Sequence, residues 1–352
     1  MIVEGIGKLV EGRDLTASEA EEIMTEVMEG KATDTQIAAF LTALRMKRET
    51  VEEITAFAVT MRKFCRQIHP KVNSRLVDTC GTGGDRIKTF NISTAAAFVT
   101  AGAGVPVAKH GNRSVTSRCG SADILEQLGF NINMDHEMVE KSIEEIGIGF
   151  MFAPKFHPAM KYAVKPRKEI GIRTVFNILG PLTNPANAEA QLLGVYDESL
   201  TEPLAKVLRN LGSSQAMVVH GLGGLDEIST IGKTKLTWLK GGEIFTLQIG
   251  PEDFGLKRAR KKAIEASTPM ESTKTTIQIL AGHTKRFDSK RDIVVANAAA
   301  ALVVGGKTDD LKEGAALARE SIDSGSAYEK LRSLIELSGG DRSKLEEFEK
   351  LG

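Results

Sequence analysis

The sequence predicts an α/β fold, in which helices flank a mainly parallel central sheet and a small all-helical domain lies at the N terminus. Two observations lead to this prediction. Residues 1–70 carry helical periodicity, whereas from residue 71 onward short apolar runs alternate with helical segments, as in βαβ units. We therefore expect a helical domain over residues 1–70 and a larger α/β domain over residues 71–352.

Three amphipathic helices are expected in the first 70 residues. Thr16 and Glu19 have the spacing of a capping box, at the start of "LTASEAEEIMTEVMEG". Thr50 and Glu53 repeat that spacing. Ile37–Leu44 and Val51–Phe64 each place an apolar stripe on one helix face. These apolar faces either pack within the chain or form a surface for a partner subunit. The sequence leaves both interpretations open.

The strands of the larger domain are expected in the apolar runs "RLVDTC", "VPVAKHG", "AQLLGVYD" and "AMVVHG". The segment "KLTWLKGGEIFTLQI" predicts a β-hairpin that turns at Gly241–Gly242. "DIVVANAAAALVVGG" and the charged C-terminal stretch predict closing helices. Ligands of such sheets bind at loops beyond the carboxyl ends of the strands. The loops after "RLVDTC", "VPVA" and "AMVVH" are therefore the candidate binding loops.

Composition argues against several classes of protein. Basic and acidic residues number 46 each, so no net field favours nucleic acid or an anionic membrane. The three cysteines, Cys65, Cys80 and Cys119, form no CxxC pair and fit a reducing cytoplasm better than a disulfide framework. No apolar run approaches the roughly 18–20 residues of a membrane helix. We expect a cytoplasmic protein with no nucleic-acid or membrane partner.

The stretch "DTCGTGGDRIKTFNIS", Asp78–Ser93, is the first candidate loop. Gly81, Gly83 and Gly84 allow a sharp turn whose N–H groups can approach an anion, and the following helix adds its positive end. Phosphate is the natural ligand. The stretch is not a dinucleotide fingerprint, since Arg86 stands where glycine is needed, and it is not a Walker loop. A glycine turn that only packs a strand on a helix is the alternative.

The second loop, "AKHGNRS", contains the side-chain donors Lys109, His110, Asn112 and Arg113. A second anion or the polar edge of a substrate would satisfy them. The alternative is an exposed basic turn. Because this loop and the glycine turn follow successive strands, we expect both to open on the same side of the sheet.

The third loop, "HGLGGLDEIS", contains the adjacent acids Asp226 and Glu227. Adjacent carboxylates repel and usually lie in solvent. Beside phosphate-binding loops, however, Mg²⁺ would offset both charges, because it typically takes one or two carboxylates together with phosphate oxygens and water.

Two further segments contain weaker candidates. The first, "FAPKFHPAMKYAVKPRKEIGIRTVFNILGPLTNPA", includes His157, Arg167 and a turn at Gly180–Pro181, and a guanidinium group is well matched to a carboxylate. The second, "GSAD", could offer Ser121 to a phosphate at the start of a helix. A solvated arginine and a helix-capping serine are the alternatives.

Seven of these motifs occur together and in order: "GTGGD", "TFNIST", "KHGNRS", "GSADILEQLG", "FHPAM", "RTVFNILGPLTNPA" and "GLDEIS". With them the chain resembles the anthranilate phosphoribosyltransferase family of tryptophan biosynthesis, from "QIAAFLTALRMK" to "NAAAALVVGG". The resemblance implies transfer of the phosphoribosyl group of phosphoribosyl pyrophosphate (PRPP) to anthranilate, with release of pyrophosphate and a need for Mg²⁺. It also implies a homodimer formed through the helical domain. Part of residues 155–190 would belong to that helical domain.

The resemblance also implies a ligand for each candidate residue. PRPP would be bound by Gly81, Thr82, Gly83, Gly84, Asp85, Thr89, Asn91, Ser93, Thr94, Lys109 and Ser121. Anthranilate would be bordered by Gly81, His110, Asn112, His157, Arg167, Gly180 and Pro181. Mg²⁺ would be held by Ser93, Asp226 and Glu227. Arg86 and Cys119 stand where the family usually has glycine and serine, and Lys88 is a smaller departure.

No nucleophile–base pair is expected, because the aniline nitrogen already carries its lone pair at neutral pH. The difficult step is cleavage of the C1–pyrophosphate bond through an oxocarbenium-like ribose, so rate should come from positioning and electrostatics. Two other functions remain open. One is a pyrimidine nucleoside phosphorylase of the same fold, against which "KHGN" argues. The other is a non-enzymatic nucleic-acid-binding relative, against which the zero net charge argues.

Overall fold

A seven-stranded sheet lies at the centre of the structure, a computed structural model that describes residues 1–84, 87–114, 119–266 and 268–350. The strands are β1 Val77–Gly81, β2 Val107–Gly111, β3 Ile148–Phe152, β4 Ala190–Gly194, β5 Gln215–Gly221, β6 Thr234–Lys240 and β7 Glu243–Ile249. Their order across the sheet is β3-β2-β1-β4-β5-β6-β7. Strands β1–β5 pair in parallel and the last two pairs are antiparallel, which confirms the predicted mainly parallel sheet.

Helices cover both faces of this sheet and form the N-terminal region. The first eight are α1 Ile2–Val10, α2 Ala17–Met28, α3 Asp34–Lys47, α4 Val51–Lys63, α5 Ile92–Gly102, α6 Ser121–Gln127, α7 His136–Ile146 and α8 Ala153–Phe156. The others are α9 Lys161–Ile170, α10 Phe176–Leu182, α11 Thr201–Asn210, α12 Pro269–Leu280, α13 Ser289–Val304, α14 Leu311–Asp323, α15 Ser326–Leu337 and α16 Arg342–Lys350. Among the described residues, no helix combines the length and hydropathy needed to cross a membrane.

The N-terminal helices begin where their capping boxes predict. The Thr16 side chain accepts a hydrogen bond from the Glu19 backbone N–H, and Thr50 accepts one from Glu53. The structure adds helix α1, which the sequence analysis did not predict. The expected surface on α3 and α4 is not exposed, because the apolar residues of Ile37–Leu44 are buried against neighbouring helices of the same chain.

Two hydrophobic clusters lie on opposite faces of the sheet, since successive strand residues alternate between faces. In β5, Met217 packs in the cluster with α5 and α13, and Val218 packs in the cluster that contains the N-terminal helices. Helices α9 and α10 pack on α3 and α4 respectively, so residues 161–182 lie beside the N-terminal helices. Because the cluster around Val218 runs from these helices to the sheet, the division at residue 70 stays a prediction.

The hairpin is confirmed and one strand was missed. β6 and β7 pair around Gly241 and Gly242, which have φ of 61° and 84°, the left-handed region that a tight hairpin turn requires. Strand β3 was not predicted. Its sequence is uniformly apolar and mostly buried, so it lacks the alternation that marks a half-exposed strand.

Loss of the buried Glu53 carboxylate should destabilise the packing of the N-terminal helices. Its Oε1 accepts a hydrogen bond from Leu15 N at 2.9 Å, and its Oε2 accepts from Thr50 N at 2.8 Å and from Lys47 Nζ at 2.9 Å. Removing one member of a buried ion pair typically costs about 3–5 kcal/mol. We expect Glu53→Ala to lower the free energy of unfolding by about that amount, measured by urea denaturation and circular dichroism.

The matched control is Glu21→Ala. Glu21 pairs with Lys63 at 2.9 Å on the surface, where the two side chains are 39% and 61% exposed, and such pairs contribute about 1 kcal/mol or less. Equal losses in the two variants would show that burial does not give Glu53 a special role.

Candidate active site

One cavity of about 590 Å³ collects the sequence-predicted residues. It lies where the loops leave the carboxyl ends of β1, β2 and β5, as the parallel sheet predicts. Its lining includes Gly81, Thr82, Gly83, Gly84, Thr89, Asn91, Ser93, Thr94, Lys109, His110, Asn112, Ser121, His157, Arg167, Gly180, Pro181, Asp226 and Glu227. Asp85 lies outside the described residues, as does Arg86. The structure thus brings every described candidate into one cavity.

The glycine turn is held at several points. Thr82 N donates to the Gly194 carbonyl oxygen at 2.9 Å, and Gly83 N donates to Asp226 Oδ2 at 2.7 Å. Gly83 and Gly84 have φ of 70° and 80°, which favours glycine. The turn therefore presents its backbone to the cavity next to an acidic side chain.

Asp226 and Glu227 are buried rather than solvated, each only 9% exposed. Glu227 Oε1 accepts from Ser93 N at 3.1 Å, and burial raises the pKa of Asp226 above its ordinary value. In the described part of the chain, Asp226 forms no salt bridge with a lysine or arginine. A cation at this position would offset their negative charge.

The two acids fit Mg²⁺ but do not form a closed metal cage. Among the described residues, no group of three or more His, Cys, Asp or Glu side chains could hold a metal ion. A pair of carboxylates is nevertheless what Mg²⁺ usually takes from a protein when a phosphate ligand and water complete its octahedron. The donor set therefore suits Mg²⁺ delivered with a phosphorylated ligand.

Lys109 is a buried cation at the floor of the cavity, 3% exposed. Its Nζ donates to the Thr79 carbonyl oxygen at 2.6 Å and to Ser93 Oγ at 3.4 Å. Burial lowers its pKa, while the nearby carboxylates of Asp78 and Glu227 favour the charged form. An ammonium group has three donors, so one N–H of Lys109 has no partner among the described residues and can bind a ligand.

Asn91 already uses its side chain in the structure. Its Nδ2 donates to the Cys119 carbonyl oxygen at 3.2 Å, and its Oδ1 accepts from Ser272 Oγ at 3.0 Å. This amide links the loop before α6 to helix α12. Its side chain therefore shapes the cavity wall, whereas Thr94, whose buried Oγ1 has no partner among the described residues, keeps a free polar atom there.

The second loop divides into residues that face the cavity and one that is paired elsewhere. Asn112 Oδ1 accepts from the Arg113 backbone N–H at 2.7 Å, and Ser121 Oγ donates to the Asn112 carbonyl oxygen at 3.4 Å. The Arg113 guanidinium instead forms two hydrogen bonds to the Glu126 carboxylate, at 2.7 and 2.9 Å. Arg113 is therefore not the free cation that its place in "KHGNRS" suggests.

His110 and His157 form a neutral pair beside the C-terminal end of α10. The turn predicted at Gly180–Pro181 is wrong, because both residues belong to this helix. Their ring centres are 5.0 Å apart. Burial lowers the pKa of His157 to about 4 and that of His110 well below its ordinary value. Among the described residues, Nε2 of each ring is buried without a hydrogen-bond partner. These two atoms are available to a polar ligand group.

The buried neutral His157 should make stability fall in acid. The unfolded chain binds a proton near pH 6.5 and the folded chain near pH 4, so between these values unfolding takes up a proton and stability falls as pH falls. At about 1.4 kcal/mol per pKa unit, the loss from pH 7 to pH 5 is roughly 2 kcal/mol. Between pH 7 and pH 5, the free energy of unfolding of His157→Gln should therefore fall by about 2 kcal/mol less than that of the wild type, measured by urea denaturation. Parallel pH curves would contradict it.

Arg167 is a cation of this cavity wall that pairs with no described carboxylate. It lies on α9, half-buried, with its guanidinium carbon 5.2 Å from the centre of the Phe176 ring. Burial lowers its pKa without removing its charge, and it forms no salt bridge with any described carboxylate. A half-buried guanidinium without a counter-ion favours an anionic ligand.

Sequence reasoning missed two contributions to the site. Met61, Met160 and Val164 give the cavity an apolar wall from the helices α4 and α9 and the turn between α8 and α9. Arg173 contacts the glycine turn from behind. An arginine directly before "TVFN" was the only signal for it, and its partner in space could not be identified from that string.

The fold and the site define a class of transferase. Residues 3–65 match the helical bundle domain of the glycosyl transferase family, and residues 73–328 match the a/b domain of that family. The helical bundle, the mainly parallel sheet and the cavity beside both agree with this match.

Individual relatives identify one enzyme family within this class of transferase. The anthranilate phosphoribosyltransferase of Pelotomaculum thermopropionicum is 53% identical over 339 residues, which are 96% of this chain and 97% of the relative. The Thermus thermophilus enzyme has a solved structure with a TM-score of 0.89 and 41% identity, covering 95% of this chain and 99% of that one. The Saccharomyces cerevisiae enzyme, solved with PRPP and Mg, has a TM-score of 0.88 and 29% identity, covering 96% and 98%. The chain belongs to the anthranilate phosphoribosyltransferase family.

Proposed function

We propose that this protein transfers the phosphoribosyl group of PRPP to the amine of anthranilate and releases pyrophosphate, a step of tryptophan biosynthesis. The observation that carries the proposal is one cavity with two buried acids beside a glycine turn. Its wall also contains the guanidinium of Arg167, which pairs with no described carboxylate. A polyanionic donor with Mg²⁺ suits the acids and the turn, and a small aromatic carboxylate suits the arginine.

On the donor side, the backbone of the Gly81–Gly84 turn and the start of α5 hold the pyrophosphate. Lys109 supplies a buried positive charge and Ser121 a hydroxyl group at the start of α6. The remaining donor contacts that we propose are Asp85, Thr89, Asn91, Ser93 and Thr94. The yeast relative, solved in complex with PRPP and Mg, supports PRPP and Mg²⁺ as ligands of this site.

Asp226, Glu227 and Ser93 would hold Mg²⁺ together with the phosphates of the donor. When bound there, the ion neutralises charge that develops on the departing pyrophosphate. The carboxylates orient the ion, and the hydrogen bonds from Gly83 N and Ser93 N orient the carboxylates.

On the acceptor side, Arg167 pairs with the anthranilate carboxylate, and Phe176 holds the guanidinium in place. Asn112, His110 and Gly81 border the pocket, and His157 lines its approach with Gly180 and Pro181. Both histidines are neutral at pH 7, because burial lowers their pKa values. They therefore offer hydrogen bonds to the acceptor as neutral rings.

The proposed chemistry needs no base to activate the acceptor, since the aniline nitrogen is uncharged at neutral pH. The amine attacks C1 of the ribose as the C1–pyrophosphate bond breaks, and the nitrogen then loses one proton to solvent. The chain contributes alignment of the two substrates and donors for the leaving group. No dyad of nucleophile and base is required of the cavity residues.

A homodimer is also proposed, although not through the surface expected from the sequence. The apolar faces of α3 and α4 are buried, whereas Val3 and Val10 of α1 and Met46 at the end of α3 are 62%, 74% and 80% exposed. Such side chains favour an interface between copies of the chain. A reducing cytoplasm remains the proposed location, which agrees with three free cysteines.

The double variant Val10→Asp with Met46→Asp should be monomeric, because two buried charges would oppose association. Sedimentation at micromolar concentration measures this, with Val164→Asp, a 55% exposed residue of α9, as the control that stays dimeric. An unmodified protein that sediments as a monomer rules the dimer out.

The acceptor is tested by measuring pyrophosphate release from PRPP and Mg²⁺ with anthranilate, with uracil, or with neither. We expect release with anthranilate only. Release with uracil would indicate a nucleobase acceptor instead. Phosphorolysis of a pyrimidine nucleoside by free phosphate would identify a nucleoside phosphorylase of the same fold.

A further inference from the structure

Arg173 holds the glycine turn, although the donor and acceptor assignments do not use it. Its Nη2 donates to the Gly84 carbonyl oxygen at 2.6 Å. Its guanidinium carbon lies 4.1 Å from the centre of the Tyr196 ring. Stacking on an aromatic face fixes the plane of a guanidinium group, so the hydrogen bond to Gly84 has a defined direction.

Gly84 is shaped to receive this side chain. A Cβ atom at residue 84 would collide with the Arg173 guanidinium. The φ of Gly84, 80°, already disfavours any other residue. The turn and the arginine are therefore packed against each other with no space for a larger residue between them.

Tyr196, on whose ring Arg173 stacks, is hydrogen-bonded to the same turn. Tyr196 N donates to Thr82 Oγ1 at 3.0 Å, and Thr82 N donates to the Gly194 carbonyl oxygen at 2.9 Å. Arg173, Tyr196, Thr82 and Gly84 thus form a closed ring of contacts around the back of the turn. The Asp226 carboxylate also accepts from Gly83 N of the same turn at 2.7 Å.

The position of Arg173 along the chain links the two substrate sides. It lies between α9, which carries Arg167, and α10, which contains Gly180 and Pro181. Helix α9 packs on the N-terminal helices α2 and α3, whereas the glycine turn follows strand β1 of the sheet. The bond from Arg173 to Gly84 therefore ties the acceptor wall to the pyrophosphate turn.

We propose that Arg173 is a positioning residue, which keeps the Gly81–Gly84 turn in register with the α9–α10 segment and so fixes the donor site relative to the acceptor site. The inference rests on the proposed function. Arg173 acts through the backbone of the turn and touches neither substrate.

The test is Arg173→Ala, with kcat and both KM values measured at saturating Mg²⁺. Loss of a charge-assisted hydrogen bond should lower kcat/KM for PRPP by about 10-fold, while KM for anthranilate stays within about twofold. Millimolar guanidinium chloride should restore part of the lost rate by filling the vacated position. Tyr196→Leu, which removes the aromatic ring on which Arg173 stacks, should shift the same constants in the same direction.

Lys240→Ala is the matched control, because Lys240 also lies over an aromatic ring, 5.2 Å from the centre of Trp238, but on the β6–β7 hairpin outside the cavity. It should leave both KM values unchanged. Unchanged constants in Arg173→Ala would overturn the inference. A lower melting temperature of Arg173→Ala, with equal changes in both KM values and no rescue by guanidinium chloride, would also overturn the inference, because it would indicate a purely structural role.

Failure of the proposed function is distinguishable from failure of this inference. If the wild-type protein transfers nothing to anthranilate, the function is wrong. Calorimetric titration with PRPP and Mg²⁺ still decides the role of Arg173, since about 10-fold weaker binding by Arg173→Ala supports it and equal binding overturns it.

Discussion

Replacing Asp226 by asparagine together with Glu227 by glutamine should lower kcat by about 100- to 1,000-fold, the usual effect of losing electrostatic stabilisation of a leaving group. Both carboxylates are buried in the cavity beside the glycine turn, and the amides keep their shape while removing two negative charges. Donor binding should suffer less, because PRPP brings its own Mg²⁺ and the turn still contacts it. The loss should therefore appear mainly in kcat.

The measurement is a Mg²⁺ titration of initial rate for both proteins. If the carboxylates hold the ion, the variant curve shifts to higher Mg²⁺ concentration and excess Mg²⁺ restores part of the rate. Asp253→Asn with Glu252→Gln, a neighbouring pair of exposed acids outside the cavity, is the control that keeps the wild-type curve. Superimposable curves for wild type and the Asp226 and Glu227 variant would exclude the metal assignment.

Replacing Arg167 by alanine should raise KM for anthranilate by about 10- to 150-fold, which corresponds to a charge-assisted contact of roughly 1.5–3 kcal/mol. The guanidinium is half-buried and has no counter-ion among the described residues, so a carboxylate ligand has no competitor for it. KM for PRPP should change little, because the donor contacts lie on other loops.

Lys168→Ala is the control, since Lys168 is the next residue of α9 and is exposed outside the cavity. It should leave both KM values unchanged. An unchanged KM for anthranilate in Arg167→Ala would remove this residue from the acceptor pocket. Arg167→Lys should remain impaired, because a lysine cannot form the two parallel hydrogen bonds of a guanidinium group.

The loop positions of the site could be predicted because parallel strands place their carboxyl ends at one edge. The strands β1, β2 and β5 could be identified from apolar runs bounded by glycine, and the loops after them line the same cavity. Strand β3 and helix α1 could not be assigned by the same reasoning. β3 lacks alternation because it is largely buried, and α1 contains Gly5 and Gly7, which have low helix propensity.

The sequence does not show which polar side chains remain available to a ligand. Their hydrogen bonds and ion pairs depend on contacts between residues distant in sequence. Arg113 and Arg167 both occur in motif strings, yet Arg113 is bound by Glu126 of the next helix. Asn91 is bonded to Ser272, 181 residues away. The contact between Arg173 and Tyr196 depends on the packing of a connection onto a strand end. These are properties of the folded chain.

The proposed dimer surface illustrates a similar limit. Amphipathic periodicity in Ile37–Leu44 showed that one face is apolar but not what covers it, and the structure shows that it is covered by neighbouring helices. Exposed apolar side chains of the N-terminal helices lie instead on α1 and at the end of α3. Helix periodicity alone does not distinguish a face buried within the chain from one that meets another subunit.

The most direct test of the proposed reaction is to incubate the protein with PRPP, Mg²⁺ and anthranilate and to quantify the products by mass spectrometry. We expect phosphoribosyl anthranilate and pyrophosphate in equal amounts, and neither product when anthranilate or Mg²⁺ is omitted. Pyrophosphate formed without anthranilate, or anthranilate recovered unchanged while PRPP is consumed, would contradict transfer between two substrates in this cavity.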